Sequence, residues 1–348
     1  MLNNIALLIE PKNISLQTIN IPKIKENDIL VKTAYCGICG TDIHIFDGNV
    51  PFVKYPIVPG HEFSGEIIKV GSRTKNDLKI GDRVAIDPNL SCKDFEKNSC
   101  YYCSKDRKNF CLNWDAIGVT LNGAFSEYVI CPSTVAYKIP ENISLRAAAF
   151  MEPLACCLHG LKKVDLTIDD VVLILGCGPI GLLMISIIKA TLRCKIIASE
   201  PLELRRKTAK NLGADIIINP EEVSTRDVVL SETSEKGVDV AIECVGSAYT
   251  AQEAITSLNR GGRALIFGVA NPMSKIELDI HKLYQNEISV FGSFTNPYEN
   301  KDALELLAKK ELSLGSIVSH EFSLDELERA IQTIKTNSGD VNKVMIKP

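Results

Sequence analysis

The stretch V-V-L-I-L-G-C-G-P-I-G at 171–181 constrains the fold of this chain more than any other segment. Five apolar residues are too few for a helix but suit a buried strand, and the glycines that follow mark a tight turn into a new element. In a G-x-G-x-x-G turn the first glycine permits the sharp bend, the second lets backbone approach a pyrophosphate, and the third lets helix pack on strand. The helix then offers its N-terminal amides and positive dipole end to phosphate. Alone, such a pattern is weak. Here a second strand, K-I-I-A-S, follows and leads to Glu200, nineteen residues past Gly181, as a dinucleotide site requires.

Glu200 is placed to accept hydrogen bonds from an adenosine ribose, and its charge opposes a 2′-phosphate, so NAD is expected over NADP. The plainer reading is a solvated strand end. Arg205 either stacks on the adenine or lies on the wet face of its helix. The expected cofactor contacts are Gly176, Gly178, Pro179, Ile180, Gly181, Glu200, Arg205, Val269 and Phe294.

From about 153 the chain alternates fully apolar strands with helices: V-V-L-I-L and 179–191, K-I-I-A-S and 202–212, I-I-I, D-V-A-I-E and 249–259, then R-A-L-I-F. That rhythm predicts a parallel sheet covered on both faces, a doubly wound α/β domain. Residues 171–188 carry no charge and imitate a membrane span in length, but glycines and Pro179 interrupt them and no membrane role is expected. Before about residue 150 the chain is mostly β, with runs such as D-I-L-V-K-T-A-Y and F-S-G-E-I-I-K-V separated by G-S, G-D, D-P and N-G turns. After 288 come I-S-V-F-G-S-F, charged helices near 300–310 and 324–336, and a closing V-M-I-K. Rhythm leaves open which half this last segment joins.

A chain of 348 residues with 45% apolar and 24% charged positions is long enough for two separate cores. Its net charge of −4 and lack of a basic block exclude nucleic acid as an expected partner. The N-terminus M-L-N-N-I-A-L-L-I-E carries no secretion signal, so the expected compartment is the cytoplasm. There, twelve cysteines read as thiols or metal ligands rather than disulfides.

Those ligands fall into two groups. C-G-I-C-G-T-D-I-H at 36–44, G-H-E at 60–62 and M-E-P at 151–153 offer Cys36, Cys39, His44, His61, Glu62 and Glu152 to a catalytic zinc, which takes about three protein ligands and keeps one exchangeable position. Each fragment alone is weak, since C-x-x-C also suits a redox pair or two buried thiols. The second group is C-Y-Y-C-S-K-D-R-K-N-F-C at 100–111.

In order along the chain, C-G-I-C-G-T-D-I-H, P-G-H-E-F-S-G-E, K-I-G-D-R-V-A, the cysteine-rich lobe, N-G-A-F-S-E-Y, M-E-P-L-A and G-C-G-P-I-G resemble the zinc-dependent medium-chain dehydrogenases. The likeness is greatest to their polyol (sorbitol-type) and threonine dehydrogenase branch. The resemblance implies a GroES-like, mostly β catalytic domain at 1–152, completed by 291–348, and a Rossmann nucleotide-binding domain at 153–290. It selects Cys39 over Cys36, and implies that Cys39, His61 and Glu62 hold the metal with Glu152 beside it as ligand or water partner. Thr41 and His44 would form the proton exit. The lobe resembles a structural zinc site of spacing C-x2-C-x2-C-x7-C. Cys100, Cys103 and Cys111 fit its last three places, but Lys97 stands at the first. Cys92, upstream across an insertion, is the expected fourth ligand, because a few more residues in a loop cost only a fraction of a kcal/mol.

Zinc and NAD together predict oxidation of an alcohol. Zinc lowers the pKa of water from about 15.7 to roughly 7, so an alcohol proton can leave through Thr41 towards His44 while hydride passes to nicotinamide; histidine titrates near neutrality. The expected substrate is a polyol or polyol phosphate such as a pentitol phosphate. Sorbitol-type relatives tend to carry an arginine where G-S-F-T-N-P places Thr295, which weakens the case for a hexitol. L-threonine and secondary alcohols such as butanediol are the alternatives, and a non-catalytic NAD-binding protein is a more distant one. A homodimer or homotetramer is implied by the family, and the apolar strand I-S-V-F serves either an interface or the core.

Overall fold

The computed structural model describes residues 1–74, 77–309, 312, 314–336 and 341–348. Internal contacts divide the chain into two compact units, 1–155 with 295–310 and 318–348, and 156–294 with 311–317. The contacts divide at 155/156 and 294/295, within a few residues of the 152/153 and 290/291 that the resemblance implies. Helix Met151–Val164 runs unbroken through the first of them, so no turn or glycine marks the crossing.

The second unit holds a six-stranded sheet, in spatial order Ile216–Ile218, Lys195–Ser199, Val171–Leu175, Val238–Glu243, Leu258–Ile266 and Ser289–Gly292. Every pairing is parallel. The chain enters at the third position, winds outward to one edge and then to the other, which is the doubly wound order with its reversal between Val171–Leu175 and Val238–Glu243. Leu175 is in register with both Ser199 and Glu243, so the glycine turn, Glu200 and the loop after Glu243 leave the sheet at the same end. Helix Pro179–Thr191 buries its whole run from Gly181 to Ile188. A helix buried all round is apolar all round, which explains the span-like 171–188. Among the described residues no helix is long and apolar enough to cross a membrane.

Helices Met151–Val164, Thr225–Glu232 and Ile280–Gln285 escaped the periodicity. Helix Thr225–Glu232 buries only Thr225 and Val229, too few for an apolar stripe, and owes its start to the Ser224 hydroxyl, which accepts from the Asp227 amide at 3.3 Å. The expected helix at 249–259 is Ala248–Thr256, and the next strand already begins at Leu258.

The first unit is built on a sheet ordered Val318–Ser323, Lys343–Lys347, Asp28–Gly37, Glu62–Val70, Arg83–Ile86 and Ala136–Lys138, with Tyr128–Pro132 also paired to Asp28–Gly37. Ile29, Val31, Ile67 and Val84 are fully buried in its core beside Phe63 and Phe125. The closing strand joins this sheet antiparallel, Met345 opposite Gly37 and Ile346 opposite Cys36, so the C-terminal segment belongs to the first unit. Gly37 is also opposite Glu62. That register sets the end of one strand, which runs into Cys39, against the start of its neighbour at His61 and Glu62.

Candidate active site

Potential ligand atoms of Cys39, His61 and Glu62 all lie within 4.8 Å of one another. Ligands about 2.0–2.3 Å from a tetrahedral zinc stand ~3.5 Å apart, so this sulfur, nitrogen and oxygen set fits one ion with small movements. Three protein donors also leave a fourth position open. Cys36 is not in the set: it is fully buried, burial pushes its thiol well up, and its Sγ donates to the Gly37 carbonyl. Glu152, in the first turn of helix Met151–Val164, is not in the set either. Its place is fixed by that helix and not by the Gly37–Glu62 strand pair.

Two residues that the sequence reading passed over organise the cluster. Asp42, 1% exposed, accepts from the Cys39 amide at 2.8 Å and the Gly60 amide at 3.1 Å, and stands 3.3 Å from His61 Nδ1. One carboxylate therefore ties the start of helix Gly40–Phe46 to the loop before Glu62 and turns Nδ1 inward, which leaves the Nε2 lone pair for a metal. Burial opposes an imidazolium at His61, but Asp42 and Cys39 outweigh it and hold the pKa well above the ordinary value. A divalent ion takes that place by releasing the proton. Lys343, 3% exposed, donates to Glu62 Oε2 and, at 2.9 Å, to the Ile38 carbonyl. A Cβ at Gly37 would stand 2.3 Å from Glu62 Oε2 and 2.8 Å from Lys343 Cε, so only glycine leaves them room. Asp42 was legible as the third helical residue in G-T-D. Lys343, 281 residues from Glu62, had no local signal.

Thr41 Oγ1 lies 3.8 Å from Cys39 Sγ. His44, three residues on and therefore on the same helix face, is exposed in the last turn.

Cys92, Cys100, Cys103 and Cys111 form the second cluster, their sulfurs also within 4.8 Å of one another. Cys92 and Cys111 are 3.5 Å apart, and no disulfide joins any of the twelve cysteines. The insertion after Cys92 folds back on itself, Lys97 N donating to the Cys92 carbonyl at 2.9 Å. Asn113 donates from Nδ2 to Cys92 Sγ and from its amide to Cys111 Sγ, both at 3.3 Å. Backbone amides of Cys103 and Leu112 lower the Cys100 thiol to about 6, whereas burial raises Cys103 to about 12. Four converging thiols with amide donors behind them suit a closed tetrahedral zinc site. Lys108, within the lobe, pairs with fully buried Asp87 at 2.8 Å, and Asn300 donates to the same carboxylate at 2.9 Å.

In the second unit, Gly176 has φ +87°, and a Cβ on Gly181 would stand 2.0 Å from the Gly176 carbonyl oxygen. Gly178 caps helix Pro179–Thr191 without a side-chain acceptor, and Pro179 at the first position has no N–H to satisfy. The amides of Ile180 and Gly181 thus open on a cradle fit for phosphate. Glu200 is 3% exposed rather than a solvated strand end: its Oε2 accepts from Cys177 N at 2.7 Å and its Oε1 from Leu202 N at 3.0 Å. Each oxygen keeps a lone pair for a ribose hydroxyl. Arg205 Nη1 is 3.8 Å from the Cβ position of Gly178, over the turn. Val269 and Phe294 are 73% and 49% exposed. Glu243, unremarked in the sequence, accepts at 2.7 Å from Val245 N, Gly246 N and Thr250 Oγ1, while its carbonyl accepts from Phe267 N and Gly268 N at 3.0 Å. It fastens two loops at the end of the sheet where the glycine turn lies.

Residues 25–141 match the alcohol dehydrogenase GroES-like domain and residues 179–309 the zinc-binding dehydrogenase family. A sorbitol dehydrogenase of Halalkalibacterium halodurans is 34% identical over 330 residues, 94% of this chain and 93% of that protein. A D-arabitol-phosphate dehydrogenase of Enterococcus avium is 32% identical over 94% of this chain and 92% of its own. A zinc-binding dehydrogenase from Sinorhizobium meliloti, solved bound to NADP, matches with a TM-score of 0.93 and 34% identity over 100% of both chains. The chain therefore belongs to the zinc-dependent medium-chain alcohol dehydrogenases, in the branch of the polyol and threonine dehydrogenases.

Proposed function

We propose that this dehydrogenase oxidises a secondary hydroxyl of a polyol or polyol phosphate, a pentitol phosphate foremost, with NAD as hydride acceptor. The observation that carries the chemistry is the cluster of half-buried Cys39 with buried His61 and Glu62, and Thr41 beside Cys39. When bound, zinc supplies a Lewis acid that lets an alcohol lose its proton near neutral pH, and NAD accepts the hydride. Cys39, His61 and Glu62 hold that ion, and Cys92, Cys100, Cys103 and Cys111 a second, structural one. Asp42 keeps the His61 ring turned for ligation. Thr41 takes the hydroxyl proton and passes it on, and His44, exposed on the same helix face, delivers it to water. Glu152 serves as a water partner beside the site.

Gly176, Gly178, Pro179, Ile180 and Gly181 receive the pyrophosphate, Glu200 the adenosine ribose, Arg205 the adenine, and Val269 and Phe294 the nicotinamide end. A 2′-phosphate would meet the buried Glu200 carboxylate, and like charges in contact favour NAD. The polyol reading rests on the sorbitol and arabitol-phosphate relatives, and Thr295, where sorbitol-type enzymes tend to carry arginine, weighs against a hexitol within it. A cytoplasmic location accords with twelve cysteines outside any disulfide. A homodimer or homotetramer accords with Ser289–Gly292 being the outer strand of its sheet, with Val290, Ile280 and Tyr284 exposed.

Pentitols, hexitols, their phosphates, L-threonine and 2,3-butanediol, each assayed with NAD and NADP by reduced-cofactor absorbance, test this reading. A pentitol or its phosphate is expected to give the highest kcat/KM, with NAD preferred by about tenfold or more. L-threonine as best substrate would replace the polyol reading. Tight NADH binding without zinc and without turnover of any alcohol would point to a non-catalytic protein.

A further inference from the structure

Burying a lysine is expensive unless its charge is matched, and an apolar residue fills the same space more cheaply. Lys343 is nevertheless 3% exposed, against a Glu62 that is 2% exposed. Its strand pairs through Met345 and Ile346 with Gly37 and Cys36, and Gly37 has surrendered its side chain to make the ion pair possible. The Ile38 carbonyl, at 2.9 Å from Nζ, fixes the ammonium from a second direction. The surroundings are anionic: the Cys39 thiol, Glu62 and Asp42 all act electrostatically on the histidine or the lysine of this cluster. A thiolate and two carboxylates are balanced by one divalent ion together with one ammonium, and by neither alone.

Resting on the metal site assigned above, we propose that Lys343 is a positioning residue that holds one carboxylate oxygen of Glu62, so that only the other is offered to the metal and the fourth coordination position stays exchangeable. Glu62 Oε2 is the oxygen taken by Nζ. Released from it, Glu62 has both oxygens for the ion, which is then held more tightly and more closed to substrate.

Cobalt loading separates this from a merely supporting role. Protein stripped of metal and refilled with Co²⁺ is compared for wild type, Lys343→Met, Lys343→Gln, Lys343→Arg and the double variant Glu62→Gln/Lys343→Met. The spectrum of Cys39→Ser is subtracted to remove cobalt in the four-cysteine site, and NADH binding verifies folding. Lys343→Met and Lys343→Gln are expected to weaken the cobalt visible absorption, as a rise in coordination number does. They should also slow cobalt release to a chelator by about tenfold, the weight of one lost charge-assisted hydrogen bond. Lys343→Arg should keep the wild-type spectrum and rate, and the double variant should lose the slowing. Wild-type spectra and release rates in both neutral variants would overturn the proposal, and so would faster release, the mark of a residue that only props up the pocket. A wild type that takes up no cobalt beyond that of Cys39→Ser would fail the metal site itself, a distinguishable result.

Discussion

Cys39→Ser and His61→Ala are each expected to lower kcat/KM by about four orders of magnitude or more, equivalent to over 5 kcal/mol of lost transition-state stabilisation. The size follows from what the ion supplies: a shift of roughly nine units in the acidity of an oxygen, with no other group in the cluster able to replace it. Serine keeps the shape but offers a hard, protonated oxygen for a soft thiolate, and alanine at 61 removes the ligating nitrogen along with the ring whose Nδ1 stands 3.3 Å from the Asp42 carboxylate. NADH affinity, read by fluorescence titration, should stay within about twofold in both, because the glycine turn and Glu200 sit on a sheet with its own core. Loss of NADH binding alongside turnover would mean that the substitutions unfold the chain, and retained turnover would remove the cluster from the chemistry.

Cys103→Ala and Cys111→Ala are expected to release one zinc per chain and lower the melting temperature by on the order of 5 °C, about 3–5 kcal/mol at this chain length. Between Cys92 and Cys111 the described chain has no strand or α-helix, only the short 3-10 turns Cys103–Lys105 and Lys108–Phe110, so the metal is expected to supply much of the lobe's closure. The Lys108–Asp87–Asn300 contacts seat its base and should keep the remainder of the first unit folded. Calorimetry with metal analysis checks this. A variant that still holds two zinc ions with an unchanged transition would show that the four thiols do not bind one.

Legibility followed sequence distance. The glycine turn reads directly because bend, cradle and helix start all lie within eleven residues, and the doubly wound order reads from its apolar strands. Cys39 and Glu62 are legible by type, but what brings them together is the Gly37–Glu62 register, which periodicity does not give. Lys343 was invisible because its partner lies at the other end of the chain. Glu243 looked like a strand end because its partners are backbone amides, which no side-chain pattern reports. Helix Thr225–Glu232 was missed because it rests on a cap and two buried residues instead of a stripe.

The central claim is that one divalent ion sits among Cys39, His61 and Glu62 in the active protein. Anomalous diffraction at the zinc edge, from crystals of unchelated protein whose dissolved remainder is assayed for alcohol oxidation, tests it most directly. The account predicts two peaks, one among Cys39, His61 and Glu62 and one among Cys92, Cys100, Cys103 and Cys111, with the first lost together with activity after chelation. An active preparation with no peak at the first position would contradict it.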